Sequence, residues 1–287
     1  MDIKTDIKTV LVAGATGGVG QLAVAELLQN AYQVRVLTRQ ADKAEKLFGN
    51  RVEVSVGDTR KPATLAAATE GVDAILCCTG TTAFPSEKWA FSPPASPLEA
   101  ALYWGRVYID SDYRQQQATN TPEAVDALGV AHLVAAAPQT LQRFVFVSSC
   151  GVERQAQFPF SLLNGFGVLT AKEKGEASIR QSGLPYTIVR PARLIDGPYT
   201  SYDLNTLVQA TTGSTQGVTL GQGDQLNGQT SRIDVAAACV ACLQVAQTVN
   251  TTFELINTGP RPTPLDWPQL FAQLLAPGAR SGAAGHG

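Results

Sequence analysis

The stretch Val10-Leu11-Val12-Ala13-Gly14-Ala15-Thr16-Gly17-Gly18-Val19-Gly20 decides the fold. A short apolar run ends in glycines at 14, 17 and 20. A helical pattern follows, with Val19, Ala23 and Leu27 on one face and Val24 and Leu28 beside it. A strand that turns on glycines into a helix gathers open backbone N–H groups at the positive end of a helix dipole. That arrangement receives a diphosphate. The turn alone is weak evidence, because strand-to-helix turns often hold glycine. Its setting strengthens it. Strands are expected at 34–37, 52–56, 74–78, 144–147, 186–189 and 252–256. Helices are expected at 42–48, 62–69, 121–136, 168–181, 234–245 and 264–274, with Asp234 as an N-cap. Alternation at this length means β-α-β units and a parallel sheet covered on both faces. The spacing is G-x-x-G-x-x-G rather than G-x-G-x-x-G, and the context reads as dinucleotide binding.

Composition narrows the classes. The chain has 287 residues, 44% hydrophobic and 16% charged, with a formal charge of -2 and a mean hydropathy of +0.00. No basic excess favours nucleic acid. No apolar run reaches the ~18 residues of a spanning helix, and the first eight residues show no signal-peptide pattern. A cytoplasmic globular protein is the expectation. The five cysteines read as free thiols. Cys239 and Cys242 have metal-like spacing but sit in an apolar helix with no second ligand pair, and the histidines, His132 and His286, build no triad. No metal site is expected.

Residues 81–120 break the rhythm. Prolines 85, 93, 94 and 97 exclude a continuous helix, and Trp89, Tyr103, Trp104 and Tyr108 make the stretch aromatic. It could close an apolar substrate pocket, dock a protein partner or simply pack on itself.

The end of the second strand selects the dinucleotide. An acid there would bind a ribose 2′-hydroxyl. Here stand Thr38 and Arg39, and a guanidinium suits a 2′-phosphate. NADP(H) is favoured over NAD(H). Asp58, after the third strand, could meet the adenine amino group or serve only as a turn residue.

The ordered set Gly14-Ala-Thr-Gly17-Gly-Val-Gly20, Thr38-Arg39, Gly57-Asp58, Val147-Ser-Ser149 and Gly183-Leu-Pro-Tyr-Thr-Ile-Val-Arg-Pro191 resembles the atypical short-chain dehydrogenase/reductases. The likeness is to their NmrA-like, NAD(P)H-binding branch, which includes biliverdin reductase B-like flavin reductases. Residues 77–85 and 196–206 look like the cyanobacterial and chloroplast group. The resemblance implies an α/β Rossmann-like doubly wound parallel sheet over 9–256. A small C-terminal substrate subregion would come from 191–232 with parts of 81–120, and a C-terminal helix and frayed tail would fill 257–287. It also implies a chloroplast stroma-like compartment as an alternative to the cytoplasm.

Roles carry over position by position. The resemblance implies that Gly14, Thr16, Gly17, Gly18, Val19, Thr38, Arg39, Asp58, Thr79, Gly80, Ser149, Lys172, Pro191, Ala192 and Arg193 bind the cofactor. Catalytic members use Ser, Tyr and Lys, the last two as Y-x-x-x-K. Ser149 and Lys172 match, but Val168 stands where the tyrosine belongs. Two readings follow. In one, hydride passes from NADPH to a small organic, flavin- or quinone-like acceptor, with a proton from solvent or from Tyr113, Tyr199 or Tyr202. In the other, the chain binds NADP(H) without turnover, as a redox sensor, scaffold or photosynthetic assembly factor. Arg193 could bind an anionic substrate or pair with Asp196 or Glu153. Lys174 and Glu176 read as a solvated face.

Overall fold

A computed structural model describes residues 6–195 and 215–275. The chain opens with β1 (Thr9–Ala13), α1 (Gly18–Gln29), β2 (Gln33–Thr38), α2 (Ala41–Phe48) and β3 (Glu53–Val56). The helix expected over 62–69 divides into a 3-10 turn, Pro62–Thr64, and one α-turn, α3 (Ala66–Thr69). After β4 (Ala74–Cys77), the proline-rich stretch folds into two helices, α4 (Pro97–Ile109) and α5 (Ser111–Gln117). Pro97 does not break α4, because it occupies the first turn, where a missing N–H costs nothing.

The helix expected at 121–136 begins as a π-turn, Glu123–Leu128, and continues as α6 (Gly129–Ala136). Then come β5 (Arg143–Val147), α7 (Phe160–Leu163), α8 (Val168–Gln181), β6 (Tyr186–Pro191) and the two-residue β7 (Arg193–Leu194). Beyond 214 lie β8 (Gln216–Gly221), β9 (Gln229–Thr230), α9 (Arg232–Gln244), β10 (Thr251–Pro260) and α10 (Trp267–Leu274). Ser231, not Asp234, caps α9, its hydroxyl oxygen accepting from the Ile233 N–H. Asp234 lies one turn inside, buried, and accepts from Asn257 (2.6 Å) and Arg261 (2.9 Å). Residues 276–287, the end of the stretch expected to hold the C-terminal helix and frayed tail, fall outside the described residues.

The strands run β3-β2-β1-β4-β5-β6, each neighbouring pair parallel. β10 extends the sheet in parallel beside β6, and β8 and β9 pair with β10 antiparallel. This is the doubly wound order. Its direction of winding reverses between β1 and β4, which places a crevice at their carboxyl ends. Alternate residues feed separate layers. Val10, Val12, Leu76 and Val145 pack in the cluster that holds α1 and α9, whereas Leu11, Ala13, Ile75, Cys77 and Phe144 pack with α6 and α8. Both faces are therefore covered, and β4 and β5 are buried throughout. Among the described residues no helix is long and apolar enough to cross a membrane.

One buried carboxylate ties α8 to the sheet. Glu176 is not on a solvated face. It is 0% exposed and accepts from Arg190 Nε (2.9 Å) and Nη2 (2.6 Å), Ser148 Oγ (2.5 Å) and Arg180 Nη2 (2.8 Å). Only Lys174 of that pair is at the surface, bonded to Glu123 at 2.8 Å. Glu176→Ala would leave the buried Arg190 guanidinium without its main counter-charge, at a cost of about 3–5 kcal/mol. Urea unfolding should show this as a lower midpoint with an unchanged m-value. An unmoved midpoint would refute the clamp.

Candidate functional site

The glycine turn works by absence of side chains. Gly14 has φ +79°, and a Cβ there would lie 2.7 Å from the Cys78 carbonyl and the Thr79 nitrogen. A Cβ on Gly20 would lie 2.1 Å from the Gly14 carbonyl oxygen, so α1 meets the end of β1 backbone to backbone. Gly17 donates to Gly14 O (3.0 Å) and caps α1 with no side-chain bond. The first turn of α1 thus opens on a cleft of about 770 Å³ with no acceptor side chain of its own cap across it. Gly14, Thr16, Gly17 and Gly18 line this end of the cleft, and Thr38, Arg39, Asp58, Thr79 and Gly80 line its other walls. The room and the N–H groups fit a dinucleotide diphosphate. Val19 points away, into the core beneath α1.

Charge gathers at the ends of β2 and β3. Arg39, Lys43, Arg60, Lys88 and Arg232 line the cleft, against Asp58 as its lining acid. That is a cationic site in a chain of net charge -2. Thr38 shapes it, its hydroxyl accepting from Gln40 N–H (3.1 Å) at the turn into α2. Arg39 Nη1 (3.1 Å) and Arg60 Nη1 (2.6 Å) both donate to one neutral oxygen, Asn120 Oδ1. Asn120 is itself fixed through Nδ2 to Lys88 O (3.0 Å). Asp58 is engaged by Arg60: Nε binds Oδ1 at 2.9 Å, and Nη2 closes the fork on Oδ2. The Arg60 guanidinium holds the Asp58 carboxyl below the usual carboxylate range. Sequence reasoning missed Arg60, Lys43 and Asn120, since a lone arginine two residues beyond an acid reads as surface.

At the other end, Gly80 and Thr81 border a buried ion pair. Lys172 Nζ lies 2.9 Å from Asp126 Oδ1 and donates to Val147 O at 3.3 Å. Asp126 Oδ2 accepts from the Thr81 hydroxyl (2.7 Å) and N–H (3.1 Å). Asp126 was also missed, although it shares the buried side of its helix with Val130 and Leu133. The π-turn carries it, a distortion often found at functional sites.

The remaining expected residues are dispersed. Ser149 is half-buried and donates to Cys150 O (2.9 Å); its neighbour Ser148 is the one turned inward. Val168 packs with Val152, Leu169, Ala83 and Phe160, so no polar group occupies the place one turn before Lys172. Pro191 is buried at the end of β6, Ala192 N–H binds Thr230 Oγ1 (3.1 Å), and Arg193 is exposed on β7. Glu153 pairs with Arg190 at 2.7 Å rather than with Arg193. Tyr113 lies under the Arg106 guanidinium and against Tyr103, and Asp196, Tyr199 and Tyr202 fall outside the described residues.

A second cluster resembles a metal site only in composition. Cys150, Asp224 and Glu254 offer ligand atoms within 4.8 Å of one another. Asp224 accepts from the Gly151 and Glu153 N–H groups (2.7 and 2.8 Å), and Glu254 from those of Asp224, Gln225 and Leu226 (2.6, 2.7 and 2.5 Å). Burial and the two carboxylates push the Cys150 thiol up to about 12. The carboxylates hold loops, and the thiol keeps its proton.

The sequence model of the NAD(P)H-binding family matches residues 14–246. The chain belongs to this NAD(P)H-binding family. Its relatives include an uncharacterised chloroplastic protein of Arabidopsis thaliana, 29% identical over 94% of this chain and 76% of that protein. Sanguinarine reductase of Eschscholzia californica is 29% identical over 94% of this chain and 97% of its own length. Among solved structures, a putative NAD-dependent epimerase/dehydratase of Bacillus halodurans superposes with a TM-score of 0.65 at 22% identity. That match covers 93% of this chain and 100% of the other.

Asp58 yields a pH prediction. Its folded value lies below its unfolded one, so its contribution is complete above the unfolded value and is lost as pH falls through the folded one. Arg60→Ala should therefore destabilise the protein at neutral pH. The gap to wild type should narrow below about pH 4, in the ordinary Asp range. Thermal midpoints across pH 3–7 test this, and a gap constant with pH would contradict it.

Proposed function

We propose that the chain is an NADPH-dependent reductase acting on a small organic acceptor of the flavin or quinone kind. One observation carries the choice of nucleotide: the guanidinium groups of Arg39 and Arg60 converge on the single neutral oxygen of Asn120 at the ends of β2 and β3. Arg60 is balanced by its fork on Asp58, whereas the Arg39 guanidinium rests on a neutral amide oxygen. A 2′-phosphate would offer Arg39 a charge-assisted, forked partner. Lys43, in the first turn of α2, adds a further positive charge, and no acid stands at the end of β2.

Gly14, Gly17 and Gly18 would hold the diphosphate, Arg39 and Arg60 the 2′-phosphate, and Gly80 with Lys172 would border the nicotinamide end. The nucleotide supplies a hydride when bound. The chain supplies position and charge. Val168 presents an apolar side chain where a tyrosine would protonate a carbonyl oxygen, which favours acceptors whose reduced form is a stabilised anion over simple ketones. The reductase name of one relative across nearly its whole length supports the same class.

Arg39→Asp should weaken NADPH binding about 10- to 100-fold, the worth of one or two charge-assisted bonds, and leave NADH binding nearly unchanged. Equal losses for both nucleotides would remove the 2′-phosphate assignment. Turnover is read from NADPH oxidation with flavin and quinone acceptors. Oxidation at the no-enzyme rate beside tight NADPH binding would leave a nucleotide-binding protein without reductase activity.

A further inference from the structure

Helix α4 carries apolar side chains on two sides, and its own fold uses only one of them. Tyr103 and Val107 are buried, and Trp104 is half-buried with its ring 5.7 Å from that of Tyr103 and 5.1 Å from that of Phe91. On the other side Leu98 is 74%, Leu102 68% and Ile109 89% exposed, with Ala101 and Gly105 exposed between them. A surface helix ordinarily turns polar residues outward there. Positions 98, 102, 105 and 109 follow one another at the alternating spacing of a coiled-coil seam.

This seam is self-complementary. Leu98 with Ile109, and Leu102 with Gly105, are both centred between positions 103 and 104. A second α4 running antiparallel about a two-fold axis at that point sets Leu98 against the second copy's Ile109, and Leu102 over the second copy's Gly105. A Cβ on Gly105 would meet nothing within 4 Å, so the leucine has room to rest on bare backbone. A parallel pair would set glycine against glycine and leave a gap. The flanking charges share the symmetry. Glu99 and Arg106 stand one heptad apart on the same edge of the seam, and the antiparallel register brings each beside the opposite sign. Arg106 gives one N–H to Asp110 (3.4 Å), and a guanidinium has five.

We infer that this face is a self-association surface, on which two copies of the chain pair through antiparallel α4 helices about a two-fold axis. Each patch is then used twice, as an isologous contact requires. The apolar surface also continues past the helix. Exposed Tyr108 meets the edge of Phe166 at 5.7 Å, Phe166 meets exposed Phe84 at 5.8 Å, and Leu162 and Leu163 of α7 are exposed beside them in the chain. Such a continuous patch marks an association surface, and it adds to the helix pair toward the about 1,600 Å² of a standard interface. The pairing bears on the cleft, because α4 and α5 lie between Lys88 and Asn120, the two cleft residues joined by the 3.0 Å bond from Asn120 Nδ2.

Sedimentation equilibrium of the full chain across the micromolar range tests the surface. Wild type is expected to be a dimer. Leu102→Glu and Gly105→Leu are each expected to raise its dissociation constant about 30-fold or more, the scale of a central interface side chain. Gly105→Leu favours the helix itself, so a dimer lost there is not lost through unfolding of α4. Arg106→Glu alone is expected to weaken pairing by setting acid against acid, and Glu99→Arg added to it is expected to restore pairing by exchanging both signs. Oxidation reads the register. Leu98→Cys with Ile109→Cys is expected to give a disulfide-linked dimer, and Leu98→Cys alone is expected to give none. Within one helix these positions lie about 16 Å apart, too far for a disulfide. All the substituted positions are exposed, and the charge exchange and the cysteine pair probe the face independently of any one variant. A wild type that stays monomeric throughout overturns the proposal. So does a dimer that Leu102→Glu and Gly105→Leu leave intact, or a crosslink through Leu98→Cys alone.

Discussion

A Cβ on Gly20 would lie 2.1 Å from the carbonyl oxygen of Gly14, and one on Gly14 would lie 2.7 Å from the backbone of Cys78 and Thr79. Three pieces of main chain, from β1, α1 and the end of β4, therefore meet at one point with no side chain between them. Everything the cleft can do follows from that approach. It puts the first turn of α1 at the place where the winding of the sheet reverses, and it leaves the N–H groups of that turn facing open space. A methyl group at either position would lift α1 from the sheet. The core shared by α1, α9 and the strands would lose contact with it.

Beyond the strand ends the sheet can no longer hold the chain, and buried carboxylates take over. Asp126 holds the loop after β4, Glu176 fixes Arg190 at the end of β6, and Glu254 with Asp224 gathers the turn at 224–226 and the one at 151–153. Asp234 ties α9 to Asn257 and Arg261. Each is a desolvated charge, which is tolerable only with partners on nearly every lone pair. A chain with only 16% charged residues thus spends several of them inside, at the rim that surrounds the cleft.

This explains what the sequence could and could not reveal. The strands and the glycine turn were legible because they rest on local periodicity and on backbone space: Val10 and Val12 face one layer, Leu11 and Ala13 the other. The acids were hidden by the habit of assigning charge to solvent. Yet the pattern held the clue. On α8, Val168, Lys172, Glu176 and Ile179 recur at helical spacing and are all buried, so two charged residues lie within an apolar stripe. Asp126 sits likewise with Val130 and Leu133. Helices α4 and α5 were obscured differently, by prolines that precede or open them. Asn120 had no local signal, because its role depends on Arg39 and Arg60, which lie 81 and 60 residues away in the chain.

The valine at 168 belongs to the same logic. Packed with Val152, Leu169 and Phe160, it makes the turn before Lys172 part of an apolar wall. A hydroxyl introduced there would need a partner that this wall does not offer. Polarity has moved to the opposite side of the lysine, where the π-turn brings Asp126 within 2.9 Å of Nζ and Thr81 within 2.7 Å of its other oxygen. An α-helical turn at 123–128 would rotate Asp126 relative to α6, and the extra residue of the π-turn sets its angle. The same lysine is thus held from a different element, and the geometry around it is that of an ammonium anchored to a carboxylate rather than one coupled to a phenol.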